Sequence, residues 1–291
     1  MKYEVIDIKI AHSVQATLTI YAHEDYPEVY GERKRPMVVI CPGGGYEHVS
    51  PREGEAIALQ FMTTGVHAAV LCYDVSGQGA EFPQHLLELA ASVAYVRKHA
   101  EEFCIDTDKI LVAGFSAGAH LAASLGCFWK EEWLEKLMQE EAGASAKDYQ
   151  PNAEILAYPV ITAGEFAHRG SFVNIMGSKA QSGFAPLGLS GKELEDKLSL
   201  ENQVTADFPQ TFMWHTFEDG AVPLENSLFF ASALRKVGVN FEYHVFPHGG
   251  HGYALATKET ALKEGKEINA QCAQWIGLFK SWMKYNIYDN Q

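Results

Sequence analysis

Gly114-Phe115-Ser116-Ala117-Gly118 sets a serine between two glycines directly after the apolar run Ile110-Leu111-Val112-Ala113. That pattern suits a sharp strand-to-helix turn that lifts a nucleophilic hydroxyl above a sheet. The glycines permit the turn and let the Ala-rich stretch 117–123 approach the strand without side-chain clash. A serine hydroxyl is a weak nucleophile until a base accepts its proton, so without an imidazole the pentapeptide reads as an ordinary Gly/Ser turn. Twelve histidines compete for that role. His251 is the first choice: it lies in the Gly-rich loop Pro247-His248-Gly249-Gly250-His251-Gly252, directly after the run 241–246. Glycines on both sides let its ring reach toward a neighbouring strand end. His248 is the rival in the same loop, and a metal reading of the pair lacks a third ligand at suitable spacing. An imidazole base needs a carboxylate to fix its tautomer. Asp219, just past the run 211–215, is the candidate, with Glu218 as second choice. Asp-Gly is also a common turn, and Asp219 could equally cap a helix that starts at Pro223.

An oxyanion forming at an attacked carbonyl needs donors. Pro42-Gly43-Gly44-Gly45-Tyr46 follows the apolar run 37–41, and consecutive glycines leave backbone N–H groups unshielded. The N–H groups of Gly44, Gly45 and Ala117 are therefore the expected oxyanion hole. A triple-glycine loop could also cradle a phosphate, but no Lys-Ser/Thr follows it, and the chain has no GxGxxG fingerprint.

The elements that must position these residues alternate. Residues 3–10 and 14–21 read as an antiparallel strand pair. Apolar runs then recur with helical stretches after them: 37–41 then 52–65, 67–73 then 83–102, 110–113 then 116–128. Later come 154–158, then 211–215 with helix 223–237, and 241–246 with a last helix from about 259 to 284. Such alternation predicts an α/β fold with a mostly parallel sheet covered on both faces, and ligands at the carboxyl ends of its strands. Two stretches break the rhythm. The acidic amphipathic segment 129–150 and the segment 162–207 are either solvated surface or caps over the site.

Length and composition bound the rest. The 291 residues contain no Pro/Gly/Ser-rich linker and read as one domain. A formal net charge of −14, with no basic cluster, argues against nucleic acid, anionic lipid and polyanionic substrates. Cys41, Cys72, Cys104, Cys127 and Cys272 are scattered and odd in number; four sit in or beside apolar runs, as free buried thiols do. The N-terminus alternates charged and apolar residues with no signal-peptide core, and nothing later is long enough to span a bilayer, so a cytoplasmic protein is expected.

Taken together, these features resemble the α/β-hydrolase superfamily and, within it, the carbohydrate-esterase group of acetyl esterases and acetylxylan-esterase-like proteins. The resemblance runs from about residue 36 to 282. It rests on Cys41 to Tyr46, Arg52-Glu53-Gly54-Glu55, Asp106 before Lys109-Ile110, Gly114 to Leu121, Leu156-Ala157-Tyr158-Pro159-Val160, Trp214-His215-Thr216 leading to Asp219 and Val222-Pro223, and Gly250-His251-Gly252. Ser116, Asp219 and His251 follow the nucleophile, acid, histidine order of α/β-hydrolases, which favours Asp219 over Glu218. Pro42 stands where many relatives of the hormone-sensitive-lipase type have His, a change a backbone oxyanion hole tolerates. Asp74 stands where many relatives have Arg, which puts in doubt any substrate contact there. The resemblance implies an α/β-hydrolase fold and a serine esterase that uses an acyl-enzyme and no metal or organic cofactor. Its implied partner is a small-molecule ester, an acetylated sugar or short oligosaccharide, with self-association into a homo-oligomer left open. The competing readings are a general short-chain carboxylesterase, a peptidase, and a binding protein that has lost catalysis.

Overall fold

In the computed structural model, which describes residues 1–26, 28 and 33–288, apolar side chains alternate along the central strands and so cover both faces of one sheet. The strands are β1 (Lys2–Asp7), β2 (Thr17–Ala22), β3 (Arg35–Cys41), β4 (His67–Cys72), β5 (Ile105–Phe115), β6 (Ala153–Ala157), β7 (Gln210–Thr216) and β8 (Phe241–Phe246). Their spatial order is β1-β2-β4-β3-β5-β6-β7-β8. β2 pairs antiparallel with β1 and β4, and every other pairing is parallel. This is the α/β-hydrolase architecture, with the antiparallel N-terminal pair that the sequence predicts.

On one face Met37, Val39, Cys41, Ile110, Val112, Leu156 and Met213 join a core with helices α1 (Gln84–Lys98), α2 (Ala117–Phe128) and α3 (Glu225–Val237). The intervening Val38, Ile40, Leu111, Ala113, Ile155, Phe212 and Trp214 face the helix over Glu55–Met62 and helix α4 (Trp275–Met283). Period-two alternation thus fixes which helix each strand residue meets.

The last helix is shorter than its composition suggests. Residues 259–274 form turns, and α4 begins only at Trp275. Gly265 adopts a left-handed φ of 68° that ends any helix there. Asn269 Oδ1 then accepts the N–H groups of Gln271 and Cys272 at 2.9 and 3.0 Å, an alternative to helical bonding. The expected helix 83–102 likewise ends at Lys98, with a separate turn over Ala100–Phe103. β5 is longer than the run 110–113 because it starts at Ile105. All five cysteines are unpaired, but only Cys41, Cys127 and Cys272 are buried; Cys104 is half-buried and Cys72 exposed. Asp74 is buried, and it accepts the N–H groups of Val14 and Gln15 at 2.5 and 3.1 Å and so pins the N-terminal turn. Among the described residues, no helix is long and apolar enough to cross a membrane.

A carboxyl group also lies in the core. Glu154 on β6 is fully buried, and neither carboxylate oxygen makes a well-aligned hydrogen bond among the described residues. Burial pushes its carboxyl well above the usual glutamate range, against a smaller opposing pull from the Gly126 backbone, so folding favours the protonated form. A raised folded-state value gives stability that is complete at low pH and declines by about 1.4 kcal/mol per unit as pH climbs above the ordinary glutamate value toward the folded one. Glu154→Gln keeps the shape and has no proton to hold. Its melting temperature is expected to match the wild type near pH 4 and to exceed it by roughly 8 °C at pH 8. A gap that does not widen with pH would contradict the assignment.

Candidate active site

Ser116 stands at the junction of β5 and α2 with φ 55° and ψ −119°, a conformation that a non-glycine residue rarely holds. The two glycines flanking it are required by space. A methyl on Gly114 would lie 2.3 Å from the Gly118 carbonyl oxygen, and one on Gly118 would lie 2.1 Å from the Cys41 carbonyl oxygen. The turn is held by the Ser116 N–H donating to the Ala157 carbonyl at 3.0 Å and by the N–H groups of Ala119 and Val160 donating back to the Ser116 carbonyl.

The sequence-predicted partners converge on this turn from two other strand ends. Ser116 Oγ lies 2.7 Å from His251 Nε2, and His251 Nδ1 lies 2.7 Å from Asp219 Oδ2. Gly249, at φ 141°, and Gly252, at φ 72°, bend the loop after β8 so that the ring reaches across. The ring's position is fixed from below by the edge of Tyr158, 5.1 Å between centroids.

Asp219 combines the triad and turn positions that its sequence context allowed, but it does not cap α3, which begins at Glu225 with Leu224 as its N-cap. Oδ1 accepts the N–H groups of Ala221 and Val222 at 3.0 and 2.9 Å, closing the turn before α3, while Oδ2 faces the imidazoles. Burial opposes its ionisation, but hydrogen bonds from His215 and His251 and the charges of those rings outweigh it, and Asp219 is held below the ordinary carboxylate range. An ionised Asp219 demands a proton on His251 Nδ1, so Nε2 presents its lone pair to the serine hydroxyl. The arrangement can therefore draw a proton from Ser116.

The two rivals are occupied elsewhere. His248 Nδ1 pairs with Glu218 Oε1 at 3.0 Å on the exposed rim, and Glu218 Oε2 also accepts the Gly249 N–H. They bond to one another and leave the inner positions to His251 and Asp219.

The triple-glycine loop lies against the same turn: a methyl on Gly43 would sit 2.9 Å from Ser116 Cβ. Its N–H is already used, donating to Glu53 Oε2 at 2.8 Å. Among the described residues, the N–H groups of Gly44, Gly45 and Ala117 have no acceptor. Tyr46, which ends the loop, is buried, and its hydroxyl bonds His120 Nδ1 at 2.8 Å. Phe115 and Trp214 are core residues, with Trp214 stacked on Trp275 at 5.3 Å.

Two supporting residues were in view in the sequence without a role. Glu53 is buried and ties three strand ends together: Oε2 takes the Gly43 N–H, Oε1 takes the Tyr158 hydroxyl at 2.7 Å, and that hydroxyl accepts the Ala254 N–H. His215 is buried behind the site, where Nε2 bonds Asp219 Oδ2 at 3.2 Å and Nδ1 bonds Ser227 Oγ at 2.6 Å. Both stand in motifs that carry the resemblance, but neither role is readable from the sequence, because each acts through partners brought near only by folding.

The segment 162–207 reaches the site from above. It carries helices α5 (Arg169–Met176) and α6 (Gly191–Lys197), and Asn174 Nδ2 donates to the Gly45 carbonyl at 2.8 Å. The segment 129–150 instead buries Trp133 among Phe82, Phe128 and Phe184, keeping its glutamates outward. Among the described residues, no three His, Cys, Asp or Glu side chains converge on a common metal position.

Known proteins share this architecture. The BD-FAE family model matches residues 25–234, a span that holds Ser116 and Asp219 and ends before His251. Endo-1,4-beta-xylanase B of Butyrivibrio fibrisolvens is 35% identical over 244 residues, covering 83% of this chain and 35% of that protein. The acetylxylan esterase of Xylanibacter ruminicola is 26% identical over 224 residues, covering 76% of this chain and 41% of that protein. The chain thus matches well under half the length of either relative. Among solved structures, an acetyl ester-xyloside bifunctional hydrolase from Caldicellulosiruptor lactoaceticus superposes with a TM-score of 0.75 at 33% identity, covering 93% of this chain and 88% of that one. With a family model matched over most of its length and a structural relative at this identity, the chain belongs to the BD-FAE family of α/β-hydrolase esterases.

Proposed function

We propose that this protein is a serine esterase that removes short acyl groups, acetyl foremost, from sugars or short oligosaccharides. Ser116 Oγ attacks the ester carbonyl while His251 Nε2 takes its proton and then delivers it to the departing alcohol oxygen. Asp219 orients His251 and stabilises its imidazolium form. The N–H groups of Gly44, Gly45 and Ala117 receive the oxyanion. Water attacks the acyl-enzyme by the same proton route, releasing the acid and restoring Ser116. No cofactor enters these steps. The single observation that carries the reading is the chain of two 2.7 Å hydrogen bonds from Ser116 through His251 to Asp219.

Residues 1–291 are read as one domain in which 162–207 caps the site and 129–150 packs beside it. A small acyl group is supported by the names of an acetylxylan esterase and an acetyl ester-xyloside hydrolase among the similar proteins. The sugar side is supported by the same two names. A cytoplasmic location suits imported oligosaccharides better than polymeric xylan.

A substrate panel tests this directly. Among p-nitrophenyl acetate, butyrate and octanoate, kcat/KM is expected to fall steeply with chain length, and acetylated xylo-oligosaccharides are expected to release acetate. Faster octanoate turnover, or sugars left acetylated, would overturn the sugar-deacetylase reading in favour of a general carboxylesterase. Cleavage of an acyl amide at a rate comparable with the ester would point instead to a peptidase.

A further inference from the structure

His168 opens the cap at the N-terminus of α5, and its ring is fixed by its own helix. The Ser171 N–H donates to the His168 carbonyl at 3.0 Å and shares its hydrogen with Nδ1 at 3.3 Å, and the Ser171 hydroxyl lies 2.9 Å from Nδ1. With Nδ1 accepting from Ser171, the neutral ring carries its proton on Nε2. Burial, followed by the nearby charge of His251, lowers the ring's pKa from the usual histidine value, against a smaller opposing pull from Asp219. The ring is thus the neutral tautomer with a fixed donor at Nε2, and that donor has no partner among the described residues.

Its backbone is held as firmly as its ring. The Arg169 guanidinium donates to the carbonyls of Ala163 and Gly164 and pairs with Glu195 at 2.7 Å. On the other side, His168 Cε1 comes within 3.9 Å of where a methyl on Gly45 would sit. The ring therefore stands beside the loop that offers the Gly44 and Gly45 N–H groups, within electrostatic reach of His251.

We propose that His168 is a specificity residue for the alcohol half of the ester, donating Nε2–H to a hydroxyl neighbouring the acylated oxygen. The assignment rests on the esterase reading above and follows from its geometry. With the carbonyl oxygen at Gly44 and Gly45 and the leaving oxygen at His251 Nε2, a group that faces both lies over the substituent of the leaving oxygen. The ligand class is a monoacylated polyol, of which a sugar ester is one member.

The test compares glyceryl monoacetate, which has free hydroxyls on its alcohol half, with propyl acetate, which has none. The wild type is expected to favour the monoacetate. His168→Asn keeps a side chain that can cap α5 but withdraws the Nε2 donor. It is expected to lower the monoacetate to propyl acetate ratio of kcat/KM by about 3- to 10-fold, the worth of one neutral hydrogen bond, through a rise in KM for the monoacetate. An equal loss on both esters, located in kcat, would make His168 an oxyanion donor or a structural cap and overturn the proposal. An unchanged ratio would overturn it as well. Acetylated xylobiose, assayed alongside, separates the two ideas: if it is inert while the monoacetate ratio responds to His168→Asn, the sugar reading fails and the His168 assignment stands.

Discussion

Ser116→Ala is expected to lower kcat/KM on p-nitrophenyl acetate by about 10⁵ to 10⁶, with the fold intact. The loss is large because no described residue can substitute for the hydroxyl on His251 Nε2, and a donor loop alone supplies only oxyanion stabilisation. The fold should survive because alanine keeps the Cβ that φ 55° already accommodates. The bonds that shape the turn also come from the backbone of residue 116, to Ala157, Ala119 and Val160. A fluorophosphonate probe separates the outcomes. Labelling of the wild type that disappears in the variant places the reactive oxygen at Ser116. Equal labelling of both proteins, or a variant with more than a tenth of wild-type activity at an unchanged melting temperature, would remove Ser116 from the chemistry. Ser116→Gly is an informative companion. It should be equally inactive, yet it relieves a positive φ that costs a β-carbon-bearing residue about 1 kcal/mol or more.

Much of this site was legible because the residues concerned sit where glycine punctuates the ends of apolar runs. Gly114 and Gly118 are needed for close approach, Gly249 and Gly252 take φ values unsuited to other residues, and each such loop marks the end of a strand. Period-two and period-3.6 patterns located the strands and most helices for the same reason: burial on two faces leaves a local record. Flanking glycines favoured His251 over His248 and chain order favoured Asp219 over Glu218, but only the folded distances reveal that the other two pair together on the rim. Glu53 and Tyr158 are 105 residues apart, and Asp219 and His251 are 32 apart, so no window of sequence holds either contact. The final helix was overextended because 258–271 is rich in Lys, Glu and Ala, good helix formers by composition. There the left-handed Gly265 and the Asn269 side chain outcompete propensity, both through single-residue geometry that composition averages away.

Asp219→Asn is the sharper test of the proposed chemistry, because the surroundings of Asp219 dictate which way an amide must lie. All four groups bonded to this carboxylate are donors: the N–H groups of Ala221 and Val222 on Oδ1, and the rings of His251 and His215 on Oδ2. The two backbone donors are fixed by the turn, so the oxygen of the introduced amide must take the Oδ1 position and its NH₂ must face the histidines. His215 can tolerate this, since its Nε2 also lies 3.0 Å from the Val222 carbonyl while Nδ1 takes the Ser227 hydroxyl. His251 cannot. Its Nδ1 must become an acceptor for the amide, which moves the ring proton to Nε2 and turns the lone pair away from Ser116. The variant should therefore fold, keep its 216–222 turn and lose about 10⁴ in kcat/KM through the wrong tautomer. If the three residues act as a unit, adding Asp219→Asn to Ser116→Ala should cost almost nothing further, and the double variant should match Ser116→Ala alone. Additive losses in the double variant, or a single Asp219→Asn within tenfold of wild type, would show that Asp219 serves the turn and that another group orients His251.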